Sequence, residues 1–325
     1  MLKPVLRIFA LVICLLAPVF LVQSGTYKHE NNEIPQTLSV LVLGKDDSSS
    51  LADVVMLVNV NTTDKKITAL QIPRDTYINL GDGGYKKING ASKALGGDVE
   101  LCEKISMSMG IDIEGYVSFD TDLVREIVDV LGGVELYVPM DMDYDDPYQN
   151  LSIHLKKGKQ ILSGDEAVSF VRYRKGYLRA DIGRIDAQKI FVSAFAKTLL
   201  EETDIKDVVP LSKIAMRYIK TDLPVTELVS LGYAMYNTSP ENISFATMPG
   251  EEVQSKKSGA WFYILSHDGC QALLDTVGGN VNFDVEHIYS DKDRYEFEEI
   301  YNREIKARVY NAAEIDGEGI EIIPK

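Results

Sequence analysis

Leu38-Ser39-Val40-Leu41-Val42-Leu43-Gly44 is a short apolar run closed by a glycine, and it reads as a buried β-strand. Two more strands follow at 53–60 and 66–72, joined by the turn-forming Asn61-Thr62-Thr63-Asp64. Beyond them, residues 92–109 have helical spacing and stop at Gly110. A strand at 117–119, a helix at 122–131 halted by Gly132-Gly133 and a strand at 134–138 come next. The segment 141–149 is acidic and reads as a loop, 164–170 as a short helix and 184–200 as a long one. Amphipathic helices at 211–219 and 225–236, strands at 243–247 and 261–265, and a helix at 268–276 complete the pattern. Strands mixed with helices of this length predict an α/β fold, a mixed β-sheet covered by helices on both sides.

Upstream of that body the chain changes character. Lys3 and Arg7 precede an uncharged stretch, 8–27, whose core from 8 to 22 has no polar side chain. With its neutral flank it approaches the ~20 residues that a membrane-spanning helix needs. Basic residues on its N-terminal side place that end in the cytoplasm and the rest outside. The rival is a cleaved signal peptide, for which Val22-Gln23-Ser24 is a passable site. Both export the body. The expected organisation is a cytoplasmic stub and transmembrane anchor over 1–27, a linker over 28–36, an extracellular catalytic domain over 37–280 and a charged peripheral tail over 281–325.

Composition narrows the function. The 325 residues carry a formal net charge of -15, which argues against nucleic acid as the main partner and makes any arginine cluster informative. Cys14 lies in the apolar segment, leaving Cys102 and Cys270, which read as two buried thiols. The chain has no P-loop, no G-x-S-x-G elbow and no H-E-x-x-H, and its four histidines lie outside every motif discussed below.

The chemistry-bearing segment is Val171-Arg172-Tyr173-Arg174 through Asp181-Ile182-Gly183-Arg184 to Gln188. In an extended segment Arg172 and Arg174 point the same way, while Asp181, Arg184 and Gln188 form one stripe at the start of a helix. Arginine forks match phosphate oxygens, and a helix N-terminus favours anions. These residues read as a pyrophosphate or phosphodiester pocket, against the alternative of a solvated basic patch. Upstream, Asp46 and Asp47 end one strand and Asp53 begins the next, so carboxylates meet at one sheet edge, a common way to hold Mg²⁺ beside phosphates. Arg74 and Lys87 either add positive charge to that edge or form structural ion pairs.

Taken in order, these pieces resemble the LytR-CpsA-Psr family of cell-wall assembly proteins. They are Leu43-Gly44-Lys45-Asp46, Ala52-Asp53-Val54-Val55-Met56, Ile72-Pro73-Arg74-Asp75-Thr76, Lys87-Ile88-Asn89, Leu131-Gly132-Gly133-Val134, Leu162-Ser163-Gly164-Asp165-Glu166-Ala167 and the arginine segment. The resemblance implies a Mg²⁺-dependent phosphotransferase. It would take a glycopolymer, teichoic acid or capsular polysaccharide, from a polyprenyl pyrophosphate carrier at the cytoplasmic membrane and join it to peptidoglycan. It further implies that Arg74, Arg172, Arg174, Arg184 and Gln188, with Lys87 beside them, bind the pyrophosphate. Asp46 and Asp53 would be the Mg²⁺ carboxylates, and Arg74, Asp181 and Arg184 the catalytic groups, with Asp181 orienting an arginine or accepting a proton. The lipid would lie in an apolar tunnel, which Phe191, Phe195 and Leu199 either line or sit beside as ordinary core. One departure is Leu51, where many members have an arginine, and Lys45 is the candidate to supply the missing phosphate contact. The rivals are a non-catalytic polyprenyl-phosphate binder or envelope regulator, and a polyprenyl pyrophosphatase.

Overall fold

The structure is a computed structural model that describes residues 36–46, 51–80, 87–147, 151–177, 180–202, 205–256, 258–277 and 297–312. The apolar stretch 8–27 and Asp47 lie outside them. Among the described residues no helix is long and apolar enough to cross a membrane.

The chain opens with three antiparallel neighbours, β1 (Thr37–Lys45), β2 (Ala52–Asn61) and β3 (Lys66–Ile72). The expected helix over 92–109 is broken into α1 (Ala91–Leu95) and α2 (Asp98–Met109). Gly96 between them sits at φ 111°, a left-handed conformation that ends the first helix and that a side chain would resist. There follow β4 (Gly115–Asp120), α3 (Thr121–Val130) and β5 (Val134–Val138). The acidic segment read as a loop is instead β6 (Met142–Asp146), paired with β7 (Leu151–Leu155). Its carboxylates alternate outward from Met142 and Tyr144, so a solvated face was mistaken for irregular chain. Next come β8 (Gly158–Leu162), α4 (Gly164–Arg172), the 23-residue α5 (Ala180–Glu202), α6 (Val208–Tyr218), the short β9 (Lys220–Thr221) and α7 (Val225–Asn237). The chain closes with β10 (Ile243–Thr247), the hairpin β11 (Gly250–Gln254) and β12 (Trp261–Leu265), α8 (His267–Val277) and β13 (Val309–Asn311).

Seven strands form one mixed sheet in the order β13-β10-β3-β2-β1-β4-β9, with β1/β4 and β3/β10 parallel and the other neighbours antiparallel. Period-2 alternation sends Leu41, Leu43, Val55, Leu57, Leu70 and Ile72 to one face, where Leu101 and Ile105 of α2 and Leu273 and Leu274 of α8 bury them. Val42, Val54, Met56, Val58 and Ala69 face the other side, against Val128 of α3, Phe170 of α4 and Ala187, Ile190 and Phe191 of α5. Helices therefore cover both faces, as expected. At roughly 25 cal/mol per Å² of apolar surface removed from water, these two layers supply most of the driving force for folding.

The core also draws on the segment read as a charged tail. Phe297 and Tyr301 are buried in the first layer, and Phe297 lies 5.6 Å from the Tyr77 ring. β13 pairs with β10, and Ser193 Oγ of α5 donates to the Ala312 carbonyl at 2.7 Å. Cys102 and Cys270 are buried free thiols, and burial pushes both pKa values up.

Candidate functional site

The site lies at one edge of the sheet, where β1 ends, β2 begins and the chain leaves β3. Asp46 directly follows β1, and its N–H donates to the Leu51 carbonyl at 2.9 Å, which brings the chain back to β2. Asp53, second residue of β2, thereby stands beside it. Arg74 follows Ile72-Pro73 at the end of β3, and its Nη1 meets Asp53 Oδ1 at 2.5 Å. Three strand ends thus deliver two carboxylates and one guanidinium to one place.

The opposite wall comes from α4 and α5. Glu166 reaches back to accept from the Ser163 N–H at 2.9 Å, fixing the start of α4, and Gly164 N–H donates to Asp129 Oδ1 of α3 at 2.8 Å. Arg172 is the last residue of that helix rather than part of an extended run, and the backbone turns extended only at Tyr173. The alternation expected for Arg172 and Arg174 therefore does not hold. Arg172 Nη2 instead lies 3.6 Å from Asp46 Oδ1.

α5 begins earlier than expected, at Ala180, so Arg184 sits one turn inside the helix. Gly183 is required there: a Cβ on it would come 2.5 Å from Tyr177 Cβ, so only glycine lets the first turn pack on that buried ring. The close approach drives Arg184 inward to 2 % side-chain exposure, with Nη1 3.6 Å from Asp53 Oδ2. Gln188, one turn on, donates from Nε2 to the Val171 carbonyl at 3.4 Å, and its Oε1 is buried without a hydrogen-bond partner among the described residues. Asp181 lies in the first turn of α5, with its side chain outside the described residues.

Between these walls is a small pocket of about 70 Å³ whose polar lining includes Asp46, Asp53, Arg172 and Gln188. Its apolar wall is Val54, Phe119, Val124 and Val171, of which Val54 and Val171 belong to the motifs above while Phe119 and Val124 do not. Phe191 and Phe195 stack at 5.6 Å, with Phe191 buried against the sheet, and Leu199 belongs to a separate cluster with Leu211. Their helical spacing signalled core.

The remaining two expected residues sit on the rim and in a turn. Lys87 Nζ pairs with Asp75 at 3.1 Å and lies 5.9 Å from the Phe262 ring, on the rim. Arg174 is in the turn between α4 and α5, where its carbonyl accepts from Tyr177 N–H at 3.3 Å. Lys45, the candidate for the contact absent at Leu51, lines the same pocket with its ammonium paired to Asp98 at 2.6 and 2.7 Å. Burial raises the Asp98 pKa, but hydrogen bonds from Lys45 and Ser92 and the Lys45 charge outweigh it, and the carboxyl stays below the usual range. Only its place at the start of α2 could have marked Asp98 in the sequence.

The edge is thus a mixed-charge cluster in which each arginine faces a carboxylate. A pyrophosphate offers those arginines stronger, bidentate partners than the carboxylates do. Asp46 and Asp53, at 19 % and 30 % side-chain exposure, then become available to a hard cation.

The model of the LytR_cpsA_psr family matches residues 22–279. TagV of Bacillus subtilis (strain 168), a polyisoprenyl-teichoic acid–peptidoglycan teichoic acid transferase, is 28% identical over 272 residues, spanning 80% of this chain and 69% of that one. The regulatory protein MsrR of Staphylococcus aureus (strain COL) is 28% identical over 250 residues, 73% of each chain. The crystal structure of B. subtilis TagV superposes with a TM-score of 0.62 at 25% identity over 74% of this chain and 96% of that one. TagT bound to LIIa-WTA shares the fold, with a TM-score of 0.60 at 23% identity over 77% and 93% of the two chains. With its motifs in order, its fold shared and most of its length matched, the chain belongs to the LytR-CpsA-Psr family.

Proposed function

We propose that the chain transfers a polyprenyl-pyrophosphate-linked glycopolymer, of the teichoic acid or capsular polysaccharide type, onto peptidoglycan through a phosphodiester. The observation that carries this is the meeting of Arg74, Arg172 and Arg184 with Asp46 and Asp53 beside an apolar wall. That combination suits a ligand with a pyrophosphate head and a hydrocarbon tail. The names of the transferase relatives agree with it.

A hydroxyl oxygen of the wall glycan attacks the phosphorus that bears the polymer. The bond from that phosphorus to the bridging oxygen breaks, a new P–O bond forms, and polyprenyl phosphate leaves with the bridging electron pair. The hydroxyl proton passes to a base, for which Asp181 in the first turn of α5 is the candidate. Such reactions are catalysed mainly by positioning and charge neutralisation. Arg74 and Arg184 stabilise the charge on the leaving phosphate, while Arg172, Arg174, Lys87 and Gln188 orient the pyrophosphate.

The carboxylate pair also fits Mg²⁺, which takes one or two carboxylates plus substrate phosphates. Among the described residues no group of three or more His, Cys, Asp or Glu could hold a metal alone, so substrate oxygens would complete the shell. Asp46 and Asp53 would hold the ion, and when bound it supplies charge neutralisation to the pyrophosphate.

The full-length chain in detergent micelles, given a polyprenyl-pyrophosphate oligosaccharide and glycan fragments of peptidoglycan, should yield the joined phosphodiester and polyprenyl phosphate. Orthophosphate would instead identify a pyrophosphatase, and unchanged bound lipid a binder. The reading also places the body outside the cytoplasmic membrane, anchored by 8–27 after Lys3 and Arg7. Protease added to intact protoplasts should digest it, and full protection would overturn that placement.

A further inference from the structure

The hairpin of β11 and β12 lies directly beside the phosphate-facing edge. Tyr263 N–H donates to the Asp75 carbonyl at 2.9 Å, and Tyr77 N–H donates to the Tyr263 carbonyl at 2.9 Å, so β12 runs against the segment that follows Arg74. Phe262 anchors it from one face, packed edge-on against Tyr77 at 5.2 Å. Alternation along the strand then turns Trp261 to the other face, where the residue is 57% exposed. Trp261 is the only tryptophan in the chain.

Its neighbours on that face are set by register. Gln254 stands directly opposite Trp261, and Glu252 opposite Tyr263, and both are exposed. The tip is pinned by Gln254 Nε2 donating to the Gly259 carbonyl at 2.9 Å and Ser255 N–H donating to the Ala260 carbonyl at 2.8 Å. A flat indole is therefore presented on a rigid hairpin, so little ordering cost falls on binding. An indole face beside an amide and a carboxylate matches a pyranose ring, which offers an apolar C–H face and hydroxyls that donate to both groups. Trp261 is two residues, about 7 Å of strand, from Tyr263 and its bond to Asp75, which places it within a disaccharide's reach of Arg74.

We propose that the Trp261–Gln254–Glu252 face is a glycan platform that holds the acceptor strand of peptidoglycan while its hydroxyl enters the arginine edge. The proposal rests on the transferase reading and names the acceptor side of the same site. The Glu252 carboxylate disfavours a phosphate-rich donor polymer on this face. The exposed Lys256 at the hairpin tip would suit a membrane interface, but the indole's partners in register are an amide and a carboxylate, which favour the glycan.

Because Trp261 is the sole tryptophan, the intrinsic emission of the full-length chain in detergent micelles reports on this face alone. Titration with a peptide-free N-acetylglucosamine–N-acetylmuramic acid oligosaccharide should shift or quench that emission saturably, and titration with the polyprenyl-pyrophosphate donor should leave it unchanged. Trp261→Ala should raise the acceptor KM about 10-fold, the scale of losing one aromatic anchor. Trp261→Phe, which keeps a ring, should raise it only a few-fold, and in both variants the donor KM and kcat should stay within about twofold of wild type. An unchanged acceptor KM in Trp261→Ala would overturn the platform, as would emission that responds to empty vesicles of anionic phospholipid and not to the oligosaccharide. Failure of the transferase reading looks different: wild type would form no joined product, whatever the emission does.

Discussion

Carboxylates gather at both ends of β1, and the two gatherings behave oppositely. At its C-terminal end Asp46 and Asp53 stand among arginines, each within 3.6 Å of a guanidinium. At its start, roughly 23 Å away along the strand, Glu103, Glu114 and Asp222 line a cavity of about 340 Å³. There the charges are alike. Burial raises the Glu114 pKa, with Asp112 adding to it, although the Ser39 N–H donates to its Oε2 at 2.6 Å. Burial likewise raises that of Glu227, helped by the charges of Glu114 and Asp222. Buried like charges relax by holding protons, whereas mixed charges relax by pairing, and only the paired set can be re-partnered by an incoming anion. The proposed site uses the second arrangement, opposite charges crowded at strand ends.

The largest effect is expected at Arg184. Arg184→Ala should lower turnover about 10²–10³-fold, the cost of losing one charge-stabilising donor, and Arg184→Lys should rescue poorly because a point charge lacks the fork. A loss under threefold would mean that the buried guanidinium serves the fold alone. Next in size is Asp53→Asn, which strips the counter-ion from Arg74 and Arg184. In the ligand-free protein it should cost ~1–2 kcal/mol, since the pair is partly screened by solvent. Calorimetric melting should show the midpoint falling, and inorganic pyrophosphate should recover much of the drop. Equal midpoints for variant and wild type would show the pairing to be idle.

The acidic end offers a smaller effect of opposite sign. Glu114 and Glu227 have folded pKa values raised above 4.5, so their contribution to stability is full below the unfolded value and is lost as pH rises through the folded one. Glu114→Gln keeps an acceptor for Ser39, and should raise the midpoint at pH 7 by about 1–2 °C while flattening the pH dependence just above 4.5. Asp98, held below 3.8, runs the other way: its contribution is present above that value and is lost as pH falls through the folded one. Melting curves across pH 3–7 would expose both trends, and a steeper dependence in Glu114→Gln would refute the like-charge account. Smallest of all is Lys175→Ala. That ammonium lies 5.0 Å from the Tyr144 ring, away from the pocket, and its removal should leave turnover within about twofold.

Much of this was legible in residue pattern. The β2–β3 hairpin was, because alternation and the Asn61–Asp64 turn agree. So was the strand-end position of Asp46 and Asp53, since each abuts an unmistakable apolar run. Gly96-Gly97 inside apparent helical spacing was the signal missed in α1 and α2, and alternating aspartates hid β6. Arg172 was placed in the right region but on the wrong element, because a helix end and an extended start share the same residues. In the apolar wall, Phe119 and Val124 had no sequence signal, since they join the motif residues Val54 and Val171 from two further elements. Tertiary packing decides such surfaces, and local pattern does not record it.

On this reading the mixed-charge edge exchanges its internal ion pairs for a pyrophosphate. Titration calorimetry of a short-chain polyprenyl pyrophosphate on the full-length chain, with Mg²⁺ and with EDTA, tests it most directly. Binding should be at least 10-fold tighter with Mg²⁺, and Arg172→Ala should weaken it by about 10-fold or more, while Asp53→Ala should erase the difference between Mg²⁺ and EDTA. Equal affinity in Mg²⁺ and EDTA, together with unchanged affinity in Arg172→Ala, would contradict the account.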